Sequence, residues 1–458
     1  MNSHLPEEFL NRMKQQLGDG YAGYLSAMEQ PPVRSLRLNR RKVFPVDYAH
    51  MSRICTGSDT PDPVIFCEGA YYYEDFEPGK SALHEAGAYY IQEASAMLPA
   101  TLLDTNDSGQ KVLDLCAAPG GKSTQIADLM RGRGLLVTNE IMPSRSSVLS
   151  ENIERLGVEN ALVLNHDPNE LAERFPAFFD RILVDAPCSG EGLFRRQPEA
   201  VSQWSLENVR MCADRQDMIL DCAAAMLAPS GKIVYSTCTF SPEEDEGSTA
   251  RFLARHPEFE ICDEPEHLYP HTAKCEGHFA VSFVRKDFYA VGNAVKSGIV
   301  ANQKVKNKAV SSVEKALLSS FLNETLSETS PHRRLIEEQS ERIIRFGDSI
   351  YLAPECLPDL TGLKVKRAGL KIGTFMKNRF EPDHALSHAL TPDEVRFCVD
   401  LPHDSLEIKQ YLGGMTINCD KDMKGWCIVC TEGFALGWGK AGGGVVKNHY
   451  PKGLRISI

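Results

Sequence analysis

A doubly wound α/β domain with a mostly parallel sheet is the fold class predicted for the middle of this 458-residue chain. Two observations predict it. Short, nearly continuous apolar runs recur between about residues 110 and 240, each followed by a stretch of helical spacing. Runs of this kind mark strands buried on both faces, with helices as the crossovers. A glycine-rich turn, Asp114-Leu115-Cys116-Ala117-Ala118-Pro119-Gly120-Gly121-Lys122, stands directly after the first run. That is where a ligand loop belongs in such a sheet.

The elements follow in order. Val112–Leu115 is the first strand, and Lys122–Met130 the helix after the turn. Gly134–Thr138 is a second strand, closed by Asn139-Glu140, and 144–156 is a helix that stops at Gly157. Ala161–Leu164 and Arg181–Val184 are strands, 206–227 a long helix, and Lys232–Ser236 a fifth strand. Ser241-Pro242-Glu243-Glu244 has the form of a helix start, with Ser241 as N-cap and Glu244 closing a capping box.

Outside this core, residues 6–17 have helical spacing. Residues 33–44 read as a basic strand with one buried and one cationic face. Residues 289–330 read as a linker that takes in one edge of a small helix. Short strands and turns are expected from about 331, and a Gly-rich β-barrel from about 400.

Composition narrows the class. The chain is 42% hydrophobic and 24% charged, with a net charge of −12. That argues against a generic nucleic-acid coat but permits local basic faces. No apolar run reaches membrane-spanning length, and the first residues lack the pattern of a signal peptide. The 14 cysteines have no framework spacing and read as free, mostly buried thiols of a cytoplasmic protein. A zinc site at the lone Cys427-Ile428-Val429-Cys430 is not expected.

Chemistry concentrates after the strands. The glycines of Cys116–Lys122 let backbone approach a ligand, and the helix behind offers free N–H groups. Neither a dinucleotide fingerprint nor a complete P-loop is present. Glu140, after the second strand, is placed to accept from ribose hydroxyls, and Asp167, after the third, to face an adenine amino group. The plainer alternative for both acids is a helix cap or a solvated turn residue.

Two cysteines close apolar runs, Cys188 in Asp185-Ala186-Pro187-Cys188-Ser189-Gly190 and Cys238 in Ser236-Thr237-Cys238-Thr239. A thiolate at such a position is a nucleophile. Cytosine C5 supplies a need for one, because addition of a thiolate to C6 makes C5 nucleophilic. A second group must then assist loss of the C5 proton and expulsion of the thiolate. Asp185, held protonated by burial, would bond N3 and the amino group of the base. Spacing does not decide which cysteine attacks.

These three motifs, with Gly87-Ala88-Tyr89-Tyr90-Ile91-Gln92-Glu93-Ala94-Ser95 upstream, resemble the RNA cytosine-C5 methyltransferases of the NOL/NOP/Sun family. Asn378-Arg379-Phe380-Glu381-Pro382-Asp383-His384 and Asn448-His449-Tyr450-Pro451-Lys452-Gly453-Leu454-Arg455 resemble the bacterial RsmF or YebU subgroup, which methylates small-subunit ribosomal RNA. The resemblance implies a Rossmann-like S-adenosylmethionine-dependent core at 106–288. An N-terminal α+β RNA-binding extension would occupy 1–105, a first C-terminal domain 331–392 and a PUA-like barrel 393–458. It implies that Cys238 attacks C6 and that Cys188 assists proton removal and release. Cys116, Ala117, Ala118, Pro119, Gly120, Gly121 and Lys122, with Glu140, Asp167 and Asp185, would bind S-adenosylmethionine.

Three basic clusters are candidates for RNA phosphates: Arg34, Arg37, Arg40, Arg41 and Lys42; Lys364, Lys366, Arg367, Lys371, Lys377 and Arg379; and Lys440, Lys447, Lys452 and Arg455. Phe194, Trp204, Trp426 and Trp438 are candidate stacking residues, with a place in the core the stronger reading for each. The partner expected is ribosomal RNA of the small subunit or its assembly intermediate, with no membrane and a monomeric chain. The rival readings are the same chemistry on transfer RNA or large-subunit RNA, and an RNA-binding assembly factor without turnover.

Overall fold

The computed structural model describes residues 5–43, 47–74, 77–106, 108–286 and 310–456. Half of the expected linker, 289–309, therefore lies outside the described residues. Its described end carries the helix Ser312–Thr325, opened by a capping box between Ser311 and Glu314.

The N-terminal part holds the helix Glu7–Leu17 and a small antiparallel sheet. Its strands are β1 (Ser35–Leu38), β2 (Ala70–Tyr72) and β3 (Tyr89–Ile91), in the order β2-β1-β3. The central sheet contains β4 (Lys111–Asp114), β5 (Leu135–Asn139), β6 (Ala161–Leu164), β7 (Phe179–Asp185), β8 (Leu227–Thr237), β9 (Phe259–Leu268) and β10 (His278–Arg285). The C-terminal strands are β11 (Ile343–Phe346), β12 (Ser349–Leu352), β13 (Val365–Ala368), β14 (Leu370–Met376) and β15 (Arg379–Pro382). They continue as β16 (Cys398–Leu401), β17 (Ile417–Asn418), β18 (Gly425–Thr431), β19 (Phe434–Gly442) and β20 (Val445–Asn448).

The central order is β13-β6-β5-β4-β7-β8-β10-β9. β6, β5, β4, β7 and β8 run parallel, as their unbroken apolar character predicts. Successive residues serve opposite cores: Val112 packs on one face of the sheet and Leu113 on the other. The chain order reverses between β4 and β7, so the loops after these strands part and open a crevice.

Three strands join this sheet beyond the five expected in it. β9 and β10 close one edge antiparallel to β8. β13 comes from the segment beyond the linker and pairs antiparallel with β6 at the other edge. The remaining C-terminal strands form a four-stranded sheet, β11-β12-β14-β15, and a five-stranded one, β16-β18-β19-β20-β17.

Several expectations are corrected. Segment 241–245 is a turn, and the helix begins at Glu246. Its acids are drawn elsewhere: Glu243 to Arg12, and Glu244 to Ser189 and Gln216. β1 has no cationic face, because all four of its residues are buried. Arg37 is 1% exposed and pairs with Asp128 at 3.0 Å. Arg40 and Arg41 pair with Glu68 and Glu159, and Lys42 donates to the Ala86 carbonyl. In the second cluster, Arg367 is buried against Glu154 and Lys371 pairs with Asp383. Lys364, Lys366, Lys377 and Arg379 remain exposed, as does the whole third cluster.

Phe194 and Trp204 are core residues, packed edge-on against Phe9 at ring separations of 5.0 and 5.7 Å. Trp438 is likewise buried, while Trp426 is partly exposed beneath Lys440. All fourteen cysteines are free; Cys427 and Cys430 point into separate cores.

Candidate active site

The glycine-rich loop leaves β4 at Asp114 and enters the helix Gly121–Met130. Gly120 has φ +114°, a conformation a side chain would strain. The neighbouring helix Pro143–Arg155 holds the loop from outside. Arg145 Nη2 donates to the Ala118 carbonyl at 2.7 Å, and Asn152 Nδ2 to that of Pro119 at 2.9 Å. Ser123 Oγ donates to Asp114 Oδ2 at 2.6 Å. Burial pushes the Asp114 carboxyl up to about 7.

Glu140 ends the segment after β5. One carboxylate oxygen accepts from the Met142 amide at 2.9 Å and the other lies 3.4 Å from Arg145. Asp167 caps the helix Pro168–Arg174 by accepting from the Asn169 amide at 2.8 Å. It is thus a helix cap that also lines the cleft.

Asp185, at the end of β7, overturns one expectation. Its Oδ2 lies 2.8 Å from Lys122 Nζ, and its Oδ1 accepts from Ser236 Oγ at 2.9 Å. Burial favours the neutral acid, but Lys122 and His278 outweigh it and hold the carboxyl well below its ordinary range. Asp185 is therefore ionised rather than protonated.

Cys188 follows β7 and Cys238 follows β8, and their sulfurs are 3.3 Å apart. The two loops are laced together. Gly192 N donates to the Cys238 carbonyl at 2.9 Å, and Ser189 Oγ shares a hydrogen bond with Thr239 Oγ1 at 2.7 Å. Phe240 N donates to Glu191, which also accepts from the Trp204 indole. The adjoining Cys238 sulfur and burial together push the Cys188 thiol well up, so Cys188 stays protonated.

These groups meet around one cleft of about 740 Å³. Cys116, Ala118, Glu140, Asp167, Asp185, Cys188 and Cys238 line it. Ala117, Pro119, Gly120, Gly121 and Lys122 complete the loop behind its wall, and Lys122 reaches the site through Asp185. Apolar side chains finish the cleft: Ile141, Met142 and Met218 are each at least half exposed there. Three contributors are not apparent from the sequence. Arg145 carries no motif, His278 lies on the unexpected β10, and Glu244 resembles a helix cap.

Four family models match the chain. "16S rRNA methyltransferase RsmB/F" covers residues 100–284, and the N-terminal domain of 16S rRNA methyltransferase RsmF covers 5–94. The RsmF first C-terminal domain covers 320–390 and the RsmF PUA domain 398–456. Ribosomal RNA small subunit methyltransferase F of Vibrio cholerae (strain M66-2) is 32% identical over 99% of this chain and 98% of its own length. That of Vibrio vulnificus (strain YJ016) is 33% identical over the same shares.

The chain belongs to the RsmF family of 16S rRNA methyltransferases.

RsmF enzymes are S-adenosylmethionine-dependent methyltransferases. A methyltransferase homolog protein from Pyrococcus horikoshii shares the fold, with a TM-score of 0.54, 27% identity and 61% of this chain matched to 95% of that one. A second structure from that organism, NSun6 with SFG, shares the fold alone, with a TM-score of 0.53, 20% identity and 61% of this chain matched to 98% of that one. Among the described residues no helix is long and apolar enough to cross a membrane.

Proposed function

We propose that this chain methylates cytosine C5 in 16S ribosomal RNA through a covalent bond between Cys238 and C6 of the base. The observation that carries this reading is the contact of two free thiols, 3.3 Å apart, in the wall of the cleft that holds the glycine loop.

The cleft suits S-adenosylmethionine, which supplies an electrophilic methyl group when bound. Glu140 and Asp167 offer carboxylates for ribose hydroxyls and an adenine amino group. Ile141 and Met142 offer an apolar wall for the adenine. The loop Cys116–Gly121 leads into a helix N-terminus, and Lys122 fixes Asp185. Ionised Asp185 is matched to the donor side of cytosine, its amino group.

Cys238 attacks as a thiolate. Its bond to C6 moves the ring's π electrons toward C5, which can then take the methyl group. Transfer of the C5 proton to solvent water and cleavage of the sulfur–C6 bond restore the aromatic base and return the thiolate. Cys188 is the group placed to assist this second half, because its protonated sulfur stands 3.3 Å from the departing one, where an S–H would stabilise the returning thiolate.

The RNA would lie across the N-terminal extension (1–105) and the C-terminal domains (331–392 and 393–458). Lys440, Lys447, Lys452 and Arg455 are exposed and form no ion pair among the described residues. Trp426 lies under Lys440 and contacts His449 at a ring separation of 4.6 Å. The test is methylation of 16S RNA in vitro followed by nucleoside analysis. 5-Methylcytidine is expected, and a methyl group on any other atom would overturn the reading.

A further inference from the structure

We propose that Glu244 is the positioning residue that sets Cys188 against Cys238, acting through Gln216 and the Ser189 amide. The inference rests on the adduct chemistry above.

Glu244 lies in the turn after β8 and is fully buried. Its Oε2 accepts from Ser189 N at 3.0 Å and from Gln216 Nε2 at 2.8 Å. The same Gln216 nitrogen donates to the Pro187 carbonyl at 3.1 Å. The peptide groups on both sides of Cys188 are therefore gripped from one carboxylate. The grip is itself anchored: Gln216 Oε1 accepts from Ser248 Oγ at 3.2 Å, and Tyr235 donates to the Glu244 carbonyl at 2.7 Å. Cys238 comes from the other side of the same turn, so one residue ties the two loops that carry the thiols.

A purely structural role would not need the charge. Glu244 Oε1 has no partner, and no cation pairs with the carboxylate among the described residues. The titratable groups around it are Glu191 from the loop after β7, Asp245 beside it, Tyr235 on β8, Cys188, and Cys212 on the helix Leu206–Met226. All are acids or neutral, and burial pushes the Glu244 carboxyl up to about 7. A glutamine there would keep an acceptor for both donors without the charge. The carboxylate differs in accepting more strongly, because hydrogen bonds to an ionised acceptor are shorter and stronger.

The experiment compares Glu244→Ala, Glu244→Gln and Cys188→Ala with the wild-type enzyme on 16S RNA. Turnover, trapped protein–RNA adduct and S-adenosylmethionine binding are measured across pH 5.5–9. Glu244→Ala is expected to bind S-adenosylmethionine normally and to accumulate adduct as Cys188→Ala does. Its turnover should fall by up to about 100-fold, the scale of a misplacement near 1 Å. Wild-type release should rise with pH through about 7, as Glu244 ionises and the grip tightens. Glu244→Gln should turn over without that inflection.

Wild-type turnover in Glu244→Ala, or slow turnover with no adduct, overturns the proposal. If Glu244→Ala does not fold, the Glu244→Gln profile decides, and an inflection that persists near pH 7 overturns it. Absence of adduct from Cys188→Ala as well would strike the adduct chemistry itself. Adduct in Cys188→Ala with none in Glu244→Ala strikes only the grip.

Discussion

Arg37 looks from its neighbours like a phosphate contact, and its surroundings make the opposite prediction. Its guanidinium is enclosed, with Nη1 donating to Asp128 Oδ2 at 3.0 Å, Nη2 to Thr124 Oγ1 at 3.0 Å and Nε to Gln92 Oε1 at 3.3 Å. Side-chain exposure is 1% for Arg37 and 2% for Asp128. Removing one partner of a buried pair typically costs about 3–5 kcal/mol, because the other charge is left buried. Asp128 would keep the Arg40 and Arg41 amides, at 3.1 and 3.0 Å, which places Arg37→Ala near the lower end, about 3 kcal/mol.

The cost should grow with pH. Burial raises the Asp128 carboxyl and Arg37 opposes that rise, so loss of Arg37 leaves a group that prefers to be protonated in the fold. Urea unfolding near pH 8 should show the full loss with an unchanged slope, and near pH 5 a smaller one. The paired change Arg37→Met with Asp128→Leu should recover most of the stability, since an apolar pair of similar volume is often neutral. RNA affinity of the folded Arg37→Ala protein should match wild type. A loss of RNA affinity at unchanged stability would refute the assignment.

Other outcomes follow from the same geometry. Asp185→Asn strands Lys122 in the cleft wall, and calorimetry should show S-adenosylmethionine binding weakened by about tenfold or more, about 1.4 kcal/mol for each tenfold. Because Lys122 and His278 hold Asp185 below its ordinary 3.8, its contribution is present above that value and lost only as pH falls through a still lower one. Wild-type binding should thus show no step from this group between about pH 8 and 5. Lys440→Glu and Trp426→Ala should weaken 16S RNA binding while sparing S-adenosylmethionine. If Lys440 meets a phosphate, its replacement should reduce the slope of affinity against salt by about 1. Unchanged RNA binding in both variants would remove this surface from the proposed path.

The parallel core was legible because strands buried on both faces have to be apolar throughout, as in Ala161–Leu164. Its loops were legible because a tight ligand turn demands glycine, as at Gly120. What the sequence hid were pairings at long range. β13 has an ordinary strand sequence, and only the fold places it beside β6, far earlier in the chain. Arg37 and Arg41 look cationic until Asp128 and Glu159 arrive from distant segments. Asp185 sits in a buried strand end, which suggests a neutral acid. The decisive neighbour, Lys122, comes from another loop. Glu244 reads as a helix cap because Ser-Pro-Glu-Glu is a good start signal, yet Ser189 and Gln216 compete for its carboxylate and the helix begins later.

Cys238 as the attacking thiol is most directly tested by mass spectrometry of the Cys188→Ala enzyme incubated with S-adenosylmethionine and 16S RNA. The expected result is a nucleotide covalently held on the peptide that contains Cys238, absent from the Cys188→Ala, Cys238→Ala double variant. A nucleotide attached elsewhere, or an adduct that survives removal of Cys238, would contradict the assignment.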